Sequence, residues 1–121
     1  MNTKFLMIAA LLSSSVGAWA HDHHGANGGR VEDAGPYHVE LVAKSEQVEL
    51  YVSDENQRPI AATGFKAIGV FVVNGKAQRI TMEPAGNARL SGTAGVALSA
   101  QTKGVVQLTS PDGKTVQAKF N

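Results

Sequence analysis

The sequence predicts an all-β fold, an antiparallel sandwich of about seven short strands with an immunoglobulin-like architecture. Three observations predict it. Short apolar runs, several of them alternating with polar residues, recur along the chain; turn residues separate these runs; and no segment carries the apolar period of a helix of useful length. A barrel of about five or six strands satisfies the same pattern and remains an alternative.

The first half of the domain carries four strand signals and one loop signal. Residues 30–33 form a candidate edge strand. Residues 37–42 and 47–53 each alternate apolar and polar side chains, as expected of strands with one face in a core. Residues 54–59 form a polar loop that ends in proline. Residues 66–73 are almost continuously apolar, which predicts a strand covered on both faces.

Turn signals organise the second half of the domain. Asn74-Gly75 is the strongest short hairpin signal in the chain, because both positions tolerate positive φ. The Pro-Asp-Gly-Lys sequence at residues 111–114 predicts a second hairpin. Strands are expected at residues 78–82, 88–91, 96–100, 105–109 and 115–120. The predicted core consists of Val39, Leu41, Val48, Leu50, Val52, Ile68, Val70, Val72, Ile80, Val106, Leu108, Val116 and Phe120.

Residues 1–20 have the pattern of a secretory signal peptide. Lys4 supplies the positive charge, residues 5–12 form a short apolar run, and Ala-Trp-Ala at 18–20 places small residues at the cleavage site. The apolar run is shorter than the roughly 20 residues that a spanning helix needs, so no membrane anchor is expected in the mature form. An exported chain without cysteine fits a bacterial periplasm.

Cleavage after residue 20 would divide the mature chain into two parts. Residues 21–29 form a leader rich in His and Gly, which is expected to be flexible. Residues 30–121 form the β-sandwich domain.

Composition excludes several classes of function. Eleven Lys and Arg against ten Asp and Glu give a formal net charge of +1, which offers no electrostatic basis for binding nucleic acid. The absence of Cys removes disulfides, thiolate metal sites and cysteine nucleophiles. The chemically unusual feature that remains is histidine, of which there are four.

The predicted cleavage places three histidines at the new amino terminus. The free amine of His21, two backbone amides and the imidazole of His23 can close around one ion in a plane, the geometry that Cu(II) and Ni(II) favour. Alternatively, the amine and ring of His21 chelate copper together, and His38 completes a T-shaped brace. His24 adds a further imidazole to the leader. Both chelates depend on this cleavage site.

His38 and Glu40 form a second candidate group. They stand two residues apart on one strand, so both side chains point to the same face about 7 Å apart. On the functional interpretation, His38 is a metal ligand and Glu40 is a ligand or an outer carboxylate that orients one. On the alternative interpretation, both are ordinary exposed residues of a strand.

Two stretches of this sequence resemble a family. Residues 24–31, His-Gly-Ala-Asn-Gly-Gly-Arg-Val, and residues 35–42, Gly-Pro-Tyr-His-Val-Glu-Leu-Val, resemble small uncharacterised periplasmic proteins and accessory segments of heavy-metal efflux adaptor proteins. The likeness continues through residues 58–60, 84–87 and 111–115. It implies an exported β-sandwich associated with heavy-metal handling, and its pattern falls on His24, Gly28, Gly29, Tyr37, His38 and Glu40. Asn27 stands where the efflux-linked segments often place His.

The sequence therefore predicts a non-enzymatic periplasmic metal-binding protein, a Cu(II) carrier or buffer linked to metal efflux or resistance, with nickel or zinc as alternatives. Its metal candidates are His21, His23, His24, His38 and Glu40. Ligation needs neutral imidazoles, so affinity should fall below roughly pH 6.5. The alternative function is a metal-independent domain that docks onto an efflux adaptor. A copper oxygenase built on a His brace is a third hypothesis, less favoured because no second cofactor motif is present.

Overall fold

The computed structural model describes residues 24–121, and its seven antiparallel strands confirm the predicted all-β fold. The strands are β1 (Arg30–Ala34), β2 (Tyr37–Ser53), β3 (Lys66–Val73), β4 (Lys76–Pro84), β5 (Leu90–Leu98), β6 (Lys103–Thr109) and β7 (Thr115–Phe120). Within the described residues, no helix is long and apolar enough to cross a membrane. The predicted signal peptide, His21 and His23 lie outside the described residues.

The strands form one sheet in the order β1-β2-β5-β4-β3-β6-β7. β1 and β7, at the two ends of this order, lie against each other, so the sheet nearly closes into a barrel. β4 joins the two halves, because it pairs with β3 along its length and with β5 at Glu83 and Pro84. The arrangement is therefore a single, nearly closed barrel-like sheet, where the sequence suggested two separate layers.

β2 is the longest strand, and it reverses direction within itself. The Ser53 hydroxyl lies 3.5 Å from the His38 carbonyl oxygen, although a straight strand would hold residues this far apart in sequence about 50 Å from each other. The reversal falls at Ser45, whose φ is 53°. The first arm, residues 37–44, pairs with β1, and the second arm pairs with β5. These arms correspond to the two strands predicted at 37–42 and 47–53.

The core lies inside the barrel and contains most of the predicted residues. Met82, whose in-phase position with Ile80 predicts core packing, is completely buried. Phe71 and Leu90 are also fully buried and were absent from the predicted core. The predicted core residues that are buried are Val39, Leu41, Val48, Leu50, Val52, Ile80, Val106, Leu108 and Phe120.

The prediction that β3 is covered on both faces is wrong. Val70 and Val72 point outward and are 42% and 56% exposed, whereas Phe71 points inward and is fully buried. Gly69 lies on the same inward face as Phe71, and the Phe71 ring and Met82 fill the space that a side chain at this position would need. Of the other predicted core residues, Ile68 and Val116 are half-buried.

The predicted hairpins are present. Asn74 and Gly75 have φ values of 52° and 76° and join β3 to β4, with Val73 opposite Lys76. β6 and β7 pair along their length across residues 110–114. One strand differs from expectation: the runs predicted at 88–91 and 96–100 belong to a single strand, β5.

Candidate functional site

The described part of the leader, residues 24–29, forms a tight turn, called here the leader turn. The Gly25 amide donates to the Gly29 carbonyl at 2.9 Å, and the Gly28 amide donates to the Gly25 carbonyl at 3.1 Å. His24, at its start, forms an antiparallel bridge with Arg30 at the start of β1. The leader turn therefore begins beside β1 at His24 and ends where β1 begins, so its residues lie next to the barrel.

The carboxylate of Glu40 holds the leader turn against β2. Glu40 is only 6% exposed. It accepts hydrogen bonds from the Asn27 amide at 2.9 Å, from the Asn27 side-chain amide at 2.9 Å and from the Gly29 amide at 2.7 Å. A buried carboxylate is tolerated in a protein when hydrogen-bond donors surround it, and the leader turn supplies three.

Two glycines allow this close approach. A Cβ at Gly25 would overlap the carboxyl group of Glu40, and a Cβ at Gly29 would overlap the Leu41 carbonyl and the Val42 side chain. The glycine spacing of the leader thus has a packing reason that is independent of flexibility.

His38 lies on the same outer face as Glu40, as predicted, and it pairs with a residue that the sequence analysis missed. Its Nδ1–H donates to Asp33 Oδ1 at 2.7 Å across the β1–β2 ladder, in which Asp33 and His38 are direct partners. The His38 side chain is 28% exposed. A carboxylate on one ring nitrogen fixes the imidazole's orientation and leaves Nε2 as the nitrogen that can bind a metal ion, as in many metal sites.

A signal for Asp33 was present in the sequence. Gly35 and Pro36 form a two-residue turn between β1 and β2, so Ala34 opposes Tyr37 and Asp33 opposes His38. Counting outward from this turn would have found the pair.

The structure places the candidate metal ligands in two locations. His24 bridges to Arg30, whereas His38 opposes Asp33, and these two β1 residues are about 10 Å apart along the strand. Among residues 24–121, no group of three or more His, Cys, Asp or Glu side chains could hold a metal ion. Glu40 contacts the leader turn, and His38 contacts Asp33.

Arg30, which directly follows the leader turn, contacts residues at the place where β1 meets β7. Its guanidinium donates to the Thr102 carbonyl and lies 5.4 Å from the centre of the Phe120 ring on β7. Burial lowers the pKa of Arg30 below its ordinary value, and the nearby carboxylate of Glu32 opposes this shift. A small depression of about 170 Å³ beside it is lined in part by His24, Gly28 and Gly29.

The outer face of the second arm of β2 carries a separate polar group. The Tyr51 hydroxyl donates to Glu49 at 2.9 Å, and Arg89 lies 3.8 Å from the same carboxylate. Burial, and then the hydrogen bond to Glu49, raise the pKa of Tyr51 above its ordinary value. The shift disfavours the phenolate, the form in which tyrosine binds metal ions.

The opposite side of the barrel presents an apolar strip with a basic border, called here the β3 face. Val70 stands between Arg79 of β4 and Val105 of β6, and Val72 stands between Ala77 and Lys103. The β3 face consists of Ile68, Val70, Val72, Arg79, Lys103, Val105 and Lys119.

Two surfaces of the described chain thus carry chemistry: the leader turn with the adjoining β1–β2 face, and the β3 face. No protein-family model matches the chain, and neither a curated protein nor a solved structure shows significant similarity to it.

Proposed function

We propose that this chain is a non-enzymatic metal-binding protein of the periplasm, a carrier or buffer for Cu(II) linked to metal efflux or resistance, with Ni(II) or Zn(II) as alternative ions. The observation that carries the proposal is the attachment of the leader turn to the barrel through Glu40. The attachment holds His24 beside β1, and His21 and His23 precede it closely in the sequence.

Two ligand sets are compatible with this attachment. In the first, the amine of His21, two backbone amides and the His23 imidazole bind Cu(II) in a plane, so the leader alone supplies the site. In the second, His21 binds through its amine and ring, and Nε2 of His38 completes the site. The Asp33–His38 hydrogen bond supports the second set, because it fixes the imidazole that the barrel would contribute.

Titration calorimetry with Cu(II) tests the proposal. The protein beginning at His21 is compared with a version carrying one additional residue before it. Both ligand sets use the terminal amine of His21, so the additional residue is expected to weaken binding at least tenfold. Equal, tight binding by the two proteins would exclude the terminal amine as a ligand. A protein beginning at His21 that fails to bind Cu(II), Ni(II) or Zn(II) would overturn the metal-binding function itself.

The β3 face supports a second function, a metal-independent interaction domain that docks onto a heavy-metal efflux adaptor. Its exposed valines would be covered in a complex, and Arg79, Lys103 and Lys119 around them would pair with acidic side chains. The expected partner surface is therefore an apolar patch with acidic residues around it.

Binding to a purified efflux adaptor from the same cell distinguishes this function from the first. Charge reversal by R79E with K103E should abolish binding by a docking domain, whereas alanine at His21, His23, His24 and His38 together should leave it unchanged. Binding that requires the histidines, or that survives charge reversal, would contradict docking through the β3 face.

A further inference from the structure

We propose that the depression beside Arg30 binds a small carboxylate, with the guanidinium holding the charged group and the apolar walls of the depression holding a short aliphatic chain. Three observations carry this proposal: an unsatisfied hydrogen-bond donor on Arg30, a positive charge without a direct counter-ion, and a space of suitable size and lining beside both. The proposal goes beyond the proposed function and does not depend on metal binding.

Arg30 has more hydrogen-bond donors than the described chain satisfies. A guanidinium carries five N–H groups, and within residues 24–121 one of its terminal nitrogens donates to the Thr102 carbonyl. Its Nε is buried and has no hydrogen-bond partner among the described residues. Buried polar atoms are nearly always paired, so this donor indicates that a bound water or ligand is the missing partner.

The positive charge of Arg30 also lacks a direct counter-ion. Among residues 24–121, no carboxylate lies within 4.0 Å of its guanidinium. Burial lowers the pKa of Arg30, and the carboxylate of Glu32, two residues further along β1, opposes this shift only in part. An anion bound beside the guanidinium would complete the stabilisation of this half-buried cation.

The depression has room for a small anion. Its volume of about 170 Å³ holds several water molecules and is well below the roughly 300 Å³ or more that sites for drug-sized ligands occupy. His24, Arg30 and Gln101 line it with polar side chains. Leu41 and Val42 are among its apolar walls. Apolar walls with a few polar groups that fix orientation are typical of small-molecule sites.

This lining favours a carboxylate over an anion of higher charge. The two oxygens of a carboxylate match the planar donors of a guanidinium, and an aliphatic chain attached to it can lie against Leu41 and Val42. A phosphate would direct oxygens at these apolar walls, and its additional charge would be repelled by Glu32. A free short-chain acid and the carboxyl end of a peptide both present the favoured chemistry.

An NMR titration of the protein beginning at His21 with propionate tests the site. The Nε–H resonance of Arg30 reports the guanidinium directly, and that of Arg89, which lies 3.8 Å from Glu49, is the internal control. Propionate should shift the Arg30 resonance to saturation and leave the Arg89 resonance in place. A shift at Arg30 that does not saturate, or equal shifts at both residues, would overturn the site, because ionic strength alone produces such changes.

Two substitutions test the two parts of the depression separately. R30K keeps the positive charge but loses the planar donors, and A100L narrows the depression at its exposed rim while leaving the contacts of Arg30 with Thr102 and Phe120 in place. Each should weaken propionate binding at least tenfold, as followed by backbone amide resonances around the depression. R89K is the matched control and should bind propionate as the wild-type protein does. A folded A100L variant that binds with unchanged affinity would overturn the proposal, even where R30K fails to fold.

Two further ligands define what the depression recognises. Inorganic phosphate should bind at least tenfold more weakly than propionate, and equal binding would overturn the assignment to a carboxylate. Acetyl-dialanine, a peptide with a free carboxyl end, separates the two sources of this group. Binding equal to that of propionate supports a site for chain ends, and binding of propionate alone supports a site for free acids. None of these measurements involves copper, so failure of the carboxylate site and failure of the metal-binding function are distinguishable.

Discussion

The outer faces of β2 and β3 show opposite relations between polarity and burial. On β2 the charged Glu40 is 6% exposed, whereas on β3 the apolar Val72 is 56% exposed. The difference comes from what lies over each strand. The leader turn covers Glu40 and supplies its hydrogen bonds, while in residues 24–121 nothing comparable covers Val72. Alternation in a strand thus defines which residues share a face, and other segments decide whether that face is buried.

The two parts of the chain that contain these strands, residues 24–65 and residues 66–121, also differ in charge. Acidic residues dominate residues 24–65 and basic residues dominate residues 66–121, although the whole chain has a formal net charge of only +1. The first region carries Glu32, Asp33, Glu40, Glu46, Glu49, Asp54 and Glu55 against Arg30, Lys44 and Arg58. The second carries Lys66, Lys76, Arg79, Arg89, Lys103, Lys114 and Lys119 against Glu83 and Asp112. The part of the chain that contains the leader turn and β2 is therefore net acidic, and the part that contains the β3 face is net basic.

The largest effect expected from this comparison lies within β3 itself. F71A should lower the free energy of unfolding by about 3–5 kcal/mol, because it removes a fully buried ring from the core. The adjacent substitution V72T should change it by less than about 0.5 kcal/mol, since Val72 is mostly exposed. Urea denaturation of both variants measures the difference. A large loss in V72T would mean that the outer face of β3 is covered after all.

The phase of β3 shows where sequence reasoning failed. Most strands alternate polar and apolar side chains, and their inward residues were predicted correctly, including Val39 and Leu41 on β2. Residues 66–73 lack this alternation, so both faces of the strand are equally apolar in the sequence. The face that turns inward is decided by the large Phe71 ring and by Gly69, which leaves room for that ring. Such packing depends on neighbouring strands and is absent from a single-strand pattern.

The candidate site was predictable in part for a similar reason. Strand alternation placed His38 and Glu40 on one face, and the structure confirms that placement. The sequence did not reveal that Glu40 is buried, because the cover comes from a glycine-rich segment that has no apolar pattern. The contacts of Asn27 and Gly29 join residues more than ten positions apart in the sequence, and local sequence patterns do not predict such tertiary contacts.

A smaller effect is expected where the leader crosses β2. G29A should lower the free energy of unfolding by about 1–3 kcal/mol, because the new methyl group meets the Leu41 carbonyl oxygen and the Val42 side chain. G95A is the control, since a Cβ at Gly95 on β5 has open space around it. That substitution should be neutral or slightly stabilising.

Thermal denaturation measures the stability of the two alanine variants, and hydrogen exchange at the leader turn shows where any stability is lost. Loss of stability in G29A confined to the leader turn would show that the cover on β2 opens separately from the barrel. Equal stability of G29A and G95A would contradict the close packing of the leader on β2.

The smallest effect concerns Tyr51 on the second arm of β2. Burial and the hydrogen bond to Glu49 raise the pKa of Tyr51, so E49Q should lower that pKa towards its ordinary value, as followed by the ring resonances of Tyr51 during an alkaline titration.

The raised pKa of Tyr51 also links the stability of the fold to pH, with a sign that follows from proton binding. With its pKa raised in the folded state, Tyr51 contributes stability that is fully present below pH 10, the ordinary value, and is lost as pH rises through the folded pKa. The loss of stability with alkaline pH should therefore be shallower in E49Q than in the wild-type protein. An unchanged Tyr51 titration in E49Q would show that burial alone sets the shift, and the polar group on this arm would then owe its properties to the barrel rather than to its own hydrogen bonds.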